Sequence, residues 1–132
     1  MNAFVIGMCL ATLASEANNE TRRNDTVSNP LTAKWTGPYH GVPPFDVVQV
    51  ADLKPALEAG MNEQLAAIDA ITSSQEPATF DNTLAAMEAS SRLLDRVSTI
   101  YDVWSSTMST PDFQAVEREM EPKLAAFRDK IV

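Results

Sequence analysis

The chain has 132 residues, the length of one domain, and a formal net charge of −8. Hydrophobic residues make up 45% of it and charged residues 21%, which is typical of a folded globular protein and not of a disordered one. The acidic balance and the lack of any stripe of Lys and Arg exclude nucleic acid as a partner, because phosphate binding needs clustered positive charge.

The first 17 residues are predicted to be a signal peptide. The apolar run from Ala3 to Ala14 is shorter than the about 20 residues that cross a bilayer, so no stable membrane span is expected. It has the length of a secretory h-region, with small residues suited to cleavage after Ala14 or Ala17. The only positive charge before this run is the α-amino group, whereas signal peptides usually begin with basic residues. A misassigned start and a disordered apolar tail therefore stay as alternative interpretations.

Residues 18–28 are polar and are predicted to be a spacer that leads into a helical region over 29–132. If the leader is a signal peptide, the protein is periplasmic or secreted; otherwise it is cytoplasmic.

Residues 34–48, "KWTGPYHGVPPFDVV", are rich in proline, glycine and aromatic residues. This composition excludes a helix, because proline removes a backbone donor and clashes with the preceding turn. The segment is also too apolar for a plain linker. We call it the strap.

The first predicted helix covers residues 52–73. Asp52 is the predicted N-cap, and Pro55 is expected still inside the first turn, where its missing N–H costs nothing. Apolar residues recur at helical spacing along one face: Leu53, Leu57, Met61, Leu65, Ile68 and Ile71.

The second predicted helix covers residues 79–108, with Thr79 as its cap and Asp81 in its first turn. Its main apolar line is Phe80, Leu84, Met87, Leu94, Tyr101 and Met108. A second line is Leu93, Val97, Ile100 and Trp104. Two apolar lines indicate neighbours on two sides, so this helix is expected in the middle of a bundle.

Several charged residues lie close together on this predicted helix. Glu88 and Arg92 are spaced for a helical ion pair. Arg92, Asp95 and Arg96 could form a functional charge cluster, but the spacing favours a solvated helix face.

The third predicted helix covers residues 110–131, after the start signal Ser109-Thr110-Pro111-Asp112. Its apolar stripe is Phe113, Val116, Met120, Leu124, Phe127 and Ile131. Pro122 lies inside this stripe and predicts a kink or a break. The helical period is still running at Val132 without a cap, which is typical of a truncated sequence.

No catalytic, cofactor-binding or metal-binding residue is predicted. The chain has one histidine, His40, so it cannot form the H-E-x-x-H zinc site, and its one cysteine, Cys9, lies in the leader. Glu117, Glu119 and Glu121 alternate around a helix and are expected to point in different directions. From its residues alone, the chain is an all-α bundle segment without its own active site.

Four short motifs carry a resemblance: "NPL" at 29–31, "GVPPFD" at 41–46, "TFDNT" at 79–83 and "ERE" at 117–119. In this order, residues 29–132 resemble the amino-terminal region of the thimet-oligopeptidase-like zinc metallopeptidases, nearest to the peptidyl-dipeptidase and oligopeptidase A branch. Asp81 stands where members of the family often carry Glu.

The resemblance implies that the chain is an incomplete part of a larger helical shell, which walls a channel admitting short peptides. The family's H-E-x-x-H helix lies several hundred residues further on. This chain alone is therefore expected to be inactive, with zinc bound only in the full-length parent. The expected partners are the remainder of the polypeptide and short peptide substrates, from which dipeptides are released.

In this interpretation Trp35, Tyr39 and Phe45 pin the strap to the shell. The alternative is that the strap contacts the peptide substrate directly. The rival for the whole chain is a free-standing, non-catalytic helical module that binds a protein partner through exposed apolar surface.

Overall fold

The structure, a computed structural model, describes residues 28–36, 38–39 and 41–131. The predicted signal peptide, Cys9 and His40 lie outside these residues. The described part of the chain contains helices and no strand, which confirms the all-α prediction. Its elements are α1 (Val50–Ser73), a π-helical segment (Phe80–Ala85), α2 (Ala86–Ser90), α3 (Arg92–Thr107) and α4 (Pro111–Ile131). None of the helices within these ranges is long and apolar enough to cross a membrane.

Helix α1 begins two residues before the predicted start. Gln49 is the N-cap, and the backbone N–H of Gln49 donates to Oδ2 of Asp52 at 2.8 Å. The prediction of Asp52 as the N-cap was therefore wrong, because its carboxylate reaches back to the cap from inside the first turn. Pro55 consequently lies beyond the first turn, where it leaves the carbonyl of Ala51 without its usual helical donor.

The second predicted helix forms as three consecutive pieces. Thr79 caps it as predicted: its Oγ1 accepts from the N–H of Asn82 at 3.1 Å, and Oδ1 of Asn82 accepts from the N–H of Thr79 at 2.8 Å. A single turn residue, Ser91, separates α2 from α3. The predicted pair between Glu88 and Arg92 does not form, since this turn breaks the regular helix between them.

Helix α4 starts as predicted, with Pro111 as its first residue and Oγ1 of Thr110 accepting from the N–H of Phe113 at 3.3 Å. Of the predicted kink or break at Pro122, the break was wrong, because the α-helix continues to Ile131, and the kink stays a prediction. Met120 and Leu124, on either side of the proline, are both buried, so core packing holds this part of the helix in place.

The three long helices run up, down and up. Lys54 and Lys123 link α1 to α4, through ion pairs with Glu119 at 2.6 Å and Glu58 at 2.7 Å respectively, so these two helices are parallel. Helix α3 runs antiparallel to both. The core between them is made of buried apolar side chains from all three helices: Leu53, Ala56, Leu57, Met61, Leu94, Val97, Ile100, Tyr101, Trp104, Phe113, Met120, Leu124 and Phe127.

Gly60 sets the distance between α1 and α3. A Cβ at this position would lie 2.9 Å from the Cα of Leu94, and the backbone N of Leu94 would be 3.1 Å away. Side-chain carbons do not approach backbone atoms so closely, so the two helices can cross here only because residue 60 has no side chain.

The strap is held by the turn before it, by its last residue and by one aromatic residue. Leu31 and Val48 are buried, and Trp35 is half-buried against the core. Tyr39 is 91% exposed and Phe45 is 49% exposed, so the prediction that these two rings pin the strap was wrong. Aromatic character alone did not distinguish a ring that packs from one that faces solvent.

Arg96 of α3 holds the turn that precedes the strap. Its Nη2 lies within 3.1–3.4 Å of the carbonyl oxygens of Leu31, Thr32 and Ala33. Its Cζ lies 4.7 Å from the centroid of the Trp35 ring, which adds a cation–π contact. Arg96 is therefore not part of a solvated helix face.

Replacement of Gly60 by alanine is expected to destabilise the protein. In an exposed helix this change would stabilise it by about 1 kcal/mol, but here the added methyl forces α1 away from α3 at a cost of about 1–3 kcal/mol. The free energy of unfolding can be measured with urea. Ala66→Ser, at an exposed position of the same helix, should change it by less than about 0.7 kcal/mol. A Gly60→Ala variant as stable as the parent would contradict the close approach.

Replacement of Arg96 by lysine is expected to loosen the strap. Lysine keeps the charge but cannot reach three carbonyls while stacking on Trp35, so about 1–2 kcal/mol of stability should be lost. Tryptophan emission should shift to longer wavelength as Trp35 becomes hydrated. Arg92→Lys, at an exposed position four residues earlier, is the matched control and should leave both readouts unchanged. Identical spectra and melts for the two variants would refute the role of Arg96.

Candidate functional site

Three glutamates of α4 face two neighbouring sides. Glu119 pairs with Lys54 and Lys123, Glu117 accepts from the hydroxyl of Ser105 at 2.8 Å, and Glu121 accepts from Tyr101. The expectation that all three carboxylates point in different directions was wrong in part, because Glu117 and Glu121 are one helical turn apart and both face α3, whereas Glu119 faces α1. Within the described ranges, no group of three His, Cys, Asp or Glu side chains is arranged to hold a metal ion.

Two side-chain hydrogen bonds join α3 to α4 at the edge of the core. One is the bond from Ser105 to Glu117. In the other, the hydroxyl of Tyr101 donates to Oε1 of Glu121 at 3.0 Å. Burial raises the pKa of Tyr101 well above its usual value, and the hydrogen bond to Glu121 adds to this rise. On the α1 side, hydrogen bonds from Lys54 and Lys123 lower the pKa of Glu119, while Glu58 and Glu119 raise the pKa of Lys123. These groups join helices and are not arranged around a common point where a substrate could react.

The proposed charge cluster on the second helix does not form. Arg92 and Asp95 are exposed, whereas Arg96 turns toward the strap. Nε of Arg96 and Nε1 of Trp35 are buried without a hydrogen-bond partner in the described part of the chain. Arg96 thus has a structural role that sequence reasoning missed, because its acceptors lie more than 60 residues away along the chain.

The strap lines an open cleft of about 300 Å³. Its wall is formed by strap residues and the turn before it: Pro30, Ala33, Lys34, Trp35, Thr36, Val42, Pro43, Pro44 and Asp46. Lys34 and Asp46 bring opposite charges to this wall, and prolines and Trp35 supply most of the rest. The volume is at the lower end of the range for small-molecule sites. The interpretation of the strap as a substrate contact stays a prediction.

A line of exposed apolar side chains on the second helix is the clearest candidate for a functional surface. Tyr101 and Leu94 are buried, whereas Met87 and Phe80, at the same seven-residue spacing, are 43% and 70% exposed. Leu84 beside them is 60% exposed. We call Phe80, Leu84 and Met87 the apolar seam.

The seam tests the prediction of two apolar lines on this helix. The second line packs as predicted, with Val97, Ile100 and Trp104 buried. The main line is buried only in its middle, at Leu94 and Tyr101. The apolar seam at its beginning and Met108 at its end are both exposed. The periodicity identified both lines correctly, but it contained no information about which stretch of the line a neighbouring helix covers.

The Tyr101–Glu121 contact predicts a specific alkaline dependence. Tyr101→Phe is expected to cost about 1 kcal/mol near pH 8, because a buried hydrogen bond is lost. Above about pH 10, Tyr101 releases its proton in the unfolded state and retains it in the folded state. The free energy of unfolding of the unsubstituted protein therefore falls as the pH rises, and its difference from Tyr101→Phe becomes smaller. Urea unfolding of both proteins at about pH 8 and about pH 10.5 checks this.

Tyr39→Phe removes an exposed hydroxyl and is the control at the lower pH, where it should change the free energy of unfolding by less than about 0.5 kcal/mol. An equal difference between the parent and Tyr101→Phe at both pH values would contradict the raised pKa of Tyr101.

Two dipeptidyl carboxypeptidases are similar in sequence to the chain. It is 29% identical over 106 residues to the dipeptidyl carboxypeptidase of Escherichia coli (strain K12), a match that covers 80% of this chain and 15% of that protein. It is 29% identical over 104 residues to the dipeptidyl carboxypeptidase of Salmonella typhimurium (strain LT2), covering 79% of this chain and 15% of that protein. No family model matches the chain, and no solved structure matches it.

The chain thus spans about 15% of the length of the curated relatives it matches. The similarity extends over about four-fifths of this chain, so it is not limited to one helix or one motif. It supports the resemblance to peptidyl-dipeptidases that the four motifs indicated. This chain is therefore similar in sequence to one part of the dipeptidyl carboxypeptidases.

Proposed function

We propose that this chain is the amino-terminal helical segment of a zinc-dependent metallopeptidase that releases dipeptides from short oligopeptides. In this proposal it forms part of the wall of a channel that admits such peptides. The observation that carries the proposal is the alignment with dipeptidyl carboxypeptidases over 80% of this chain. The all-α architecture and the motifs of residues 29–46 and 79–83 are consistent with it.

The chemistry of the proposed enzyme resides outside this chain. In the complete enzyme, zinc would polarise the scissile carbonyl and activate a water molecule. The residues described here do not fit that role, since their His, Cys, Asp and Glu side chains do not gather into a set of three. The contribution of this segment is therefore structural, and the chain by itself is proposed to be inactive.

We also propose that the parent enzyme is periplasmic or secreted. This proposal rests on the apolar run from Ala3 to Ala14 and the small residues that follow it. A peptidase exported in this way would act on peptides outside the cytoplasm.

A second candidate is a free-standing helical module that binds a protein partner. The apolar seam favours it, because Phe80, Leu84 and Met87 place apolar surface in solvent next to one another. The two candidates differ in what covers the seam: another part of the same polypeptide, or a separate protein.

The coding sequence and the native product distinguish the two candidates. For a peptidase segment, the reading frame should continue past Val132 and encode an H-E-x-x-H helix. An immunoblot of the native host with antibodies against this chain should then detect a product far larger than 14.4 kDa. A stop codon directly after Val132, together with a native product of the size of this chain, would contradict the proposal and favour the module.

A further inference from the structure

The apolar seam lies beyond the reach of α4. Tyr101 of α3 bonds Glu121 of α4, and Ser105 bonds Glu117. A step of four residues toward the carboxyl end of α3 therefore corresponds to a step of four residues toward the amino end of α4. In this register Ile131, the last described residue of α4, lies about level with Ser91. The π-helical segment and α2 therefore have no residue of α4 beside them in the described chain.

The same holds on the α1 side. The ion pairs of Lys54 with Glu119 and of Lys123 with Glu58 keep α1 and α4 in a constant parallel register. Ile131 is then about level with Ala66. The last buried residue of α1 is Met61, and the π-helical segment contains no buried residue. Within residues 41–131, the bundle therefore has three helices at one end and two at the other.

The apolar line extends past the level of Ile131, the last described residue of α4. On the second helix it continues from buried Leu94 into Met87 and Phe80, and on α1 it continues from buried Met61 into half-buried Ile68 and Ile71. Scattered exposed apolar residues are ordinary in any protein, but Phe80, Leu84 and Met87 lie within eight residues of one another, in the segment that precedes the buried part of the line. Two helices with a shared apolar groove are the template onto which a third helix packs in a bundle.

The charge around the seam restricts the occupant. The stretch from Phe80 to Ser91 contains two acidic residues, Asp81 and Glu88, and no basic residue. Both carboxylates are exposed and neither forms an ion pair among the described residues. An occupant with Lys or Arg beside its apolar stripe would complement them.

We propose that a helix from the remainder of the longer polypeptide lies over the apolar seam, in line with α4. It would present apolar residues at three- and four-residue spacing to Phe80, Leu84 and Met87, and basic residues to Asp81 and Glu88. This inference rests on the proposed function, according to which the chain is part of a longer polypeptide. It adds the surface of this chain on which the rest of that polypeptide packs.

The test uses the full-length protein encoded by the continuing reading frame. A photo-crosslinking benzoylphenylalanine is placed at Leu84, and the crosslinked peptides are identified by mass spectrometry. We expect crosslinks within one molecule to a helical, Lys- or Arg-containing peptide outside residues 1–132. The same group at Val103, an exposed apolar position of α3 away from the seam, is the control and should not label that peptide.

A second measurement compares two contexts. In the isolated chain, Leu84→Asn removes a side chain that is already 60% exposed, so it should shift the Tm by no more than Val103→Asn does. In the full-length protein the same change should lower the Tm by about 5 °C more than Val103→Asn, because the seam is covered there.

The outcomes separate the two proposals. An open frame with no intramolecular crosslink from position 84, and equal Tm values for the two asparagine variants, would overturn this inference and leave the proposed function standing. Crosslinks only between two copies of the full-length protein would also overturn it, in favour of a dimer. A frame that stops after Val132 would remove both proposals.

Discussion

The crossing of α1 and α3 at Gly60 is the contact on which the rest of the structure depends. With no side chain at residue 60, the two helices approach until a Cβ there would touch the backbone of Leu94. Leu57 and Met61 of α1, Val97 and Ile100 of α3, and Met120 and Leu124 of α4 form one buried core around this approach. The approach also presents Arg96 to the turn at Leu31–Ala33, so the position of the strap depends on the same crossing.

Local signals predicted the helices well because they act within a few residues. The caps at Thr79 and Thr110 formed as predicted, since their hydroxyls need only the N–H groups three residues on. Features set by tertiary packing were missed or wrong. Pro122 does not break α4, Tyr39 and Phe45 do not hold the strap, and Arg96 is not solvated, because each outcome depends on a neighbour distant in sequence.

The candidate surface was only half accessible from the sequence. The spacing of Phe80, Met87, Leu94 and Tyr101 predicted one apolar line, and the structure shows that its middle is buried and its beginning is not. The difference arises from the register between α3 and α4, fixed by Ser105–Glu117 and Tyr101–Glu121. Such polar pairs at a helix interface have no sequence signature, since serine, tyrosine and glutamate occur on helix surfaces everywhere.

The uncovered end also differs energetically from the covered one. Fully burying a Phe, Leu or Met side chain contributes about 1.5–3 kcal/mol. The three seam residues are already partly buried, so covering them would contribute roughly 3–5 kcal/mol together. That is a large share of the free energy of unfolding of an ordinary domain, which is about 5–15 kcal/mol. The core around Gly60 forms without that contribution, whereas the π-helical segment, which contains no fully buried residue, lacks it. The helix that covers the seam would therefore stabilise mainly this end of the bundle, and local opening in the isolated chain should begin there.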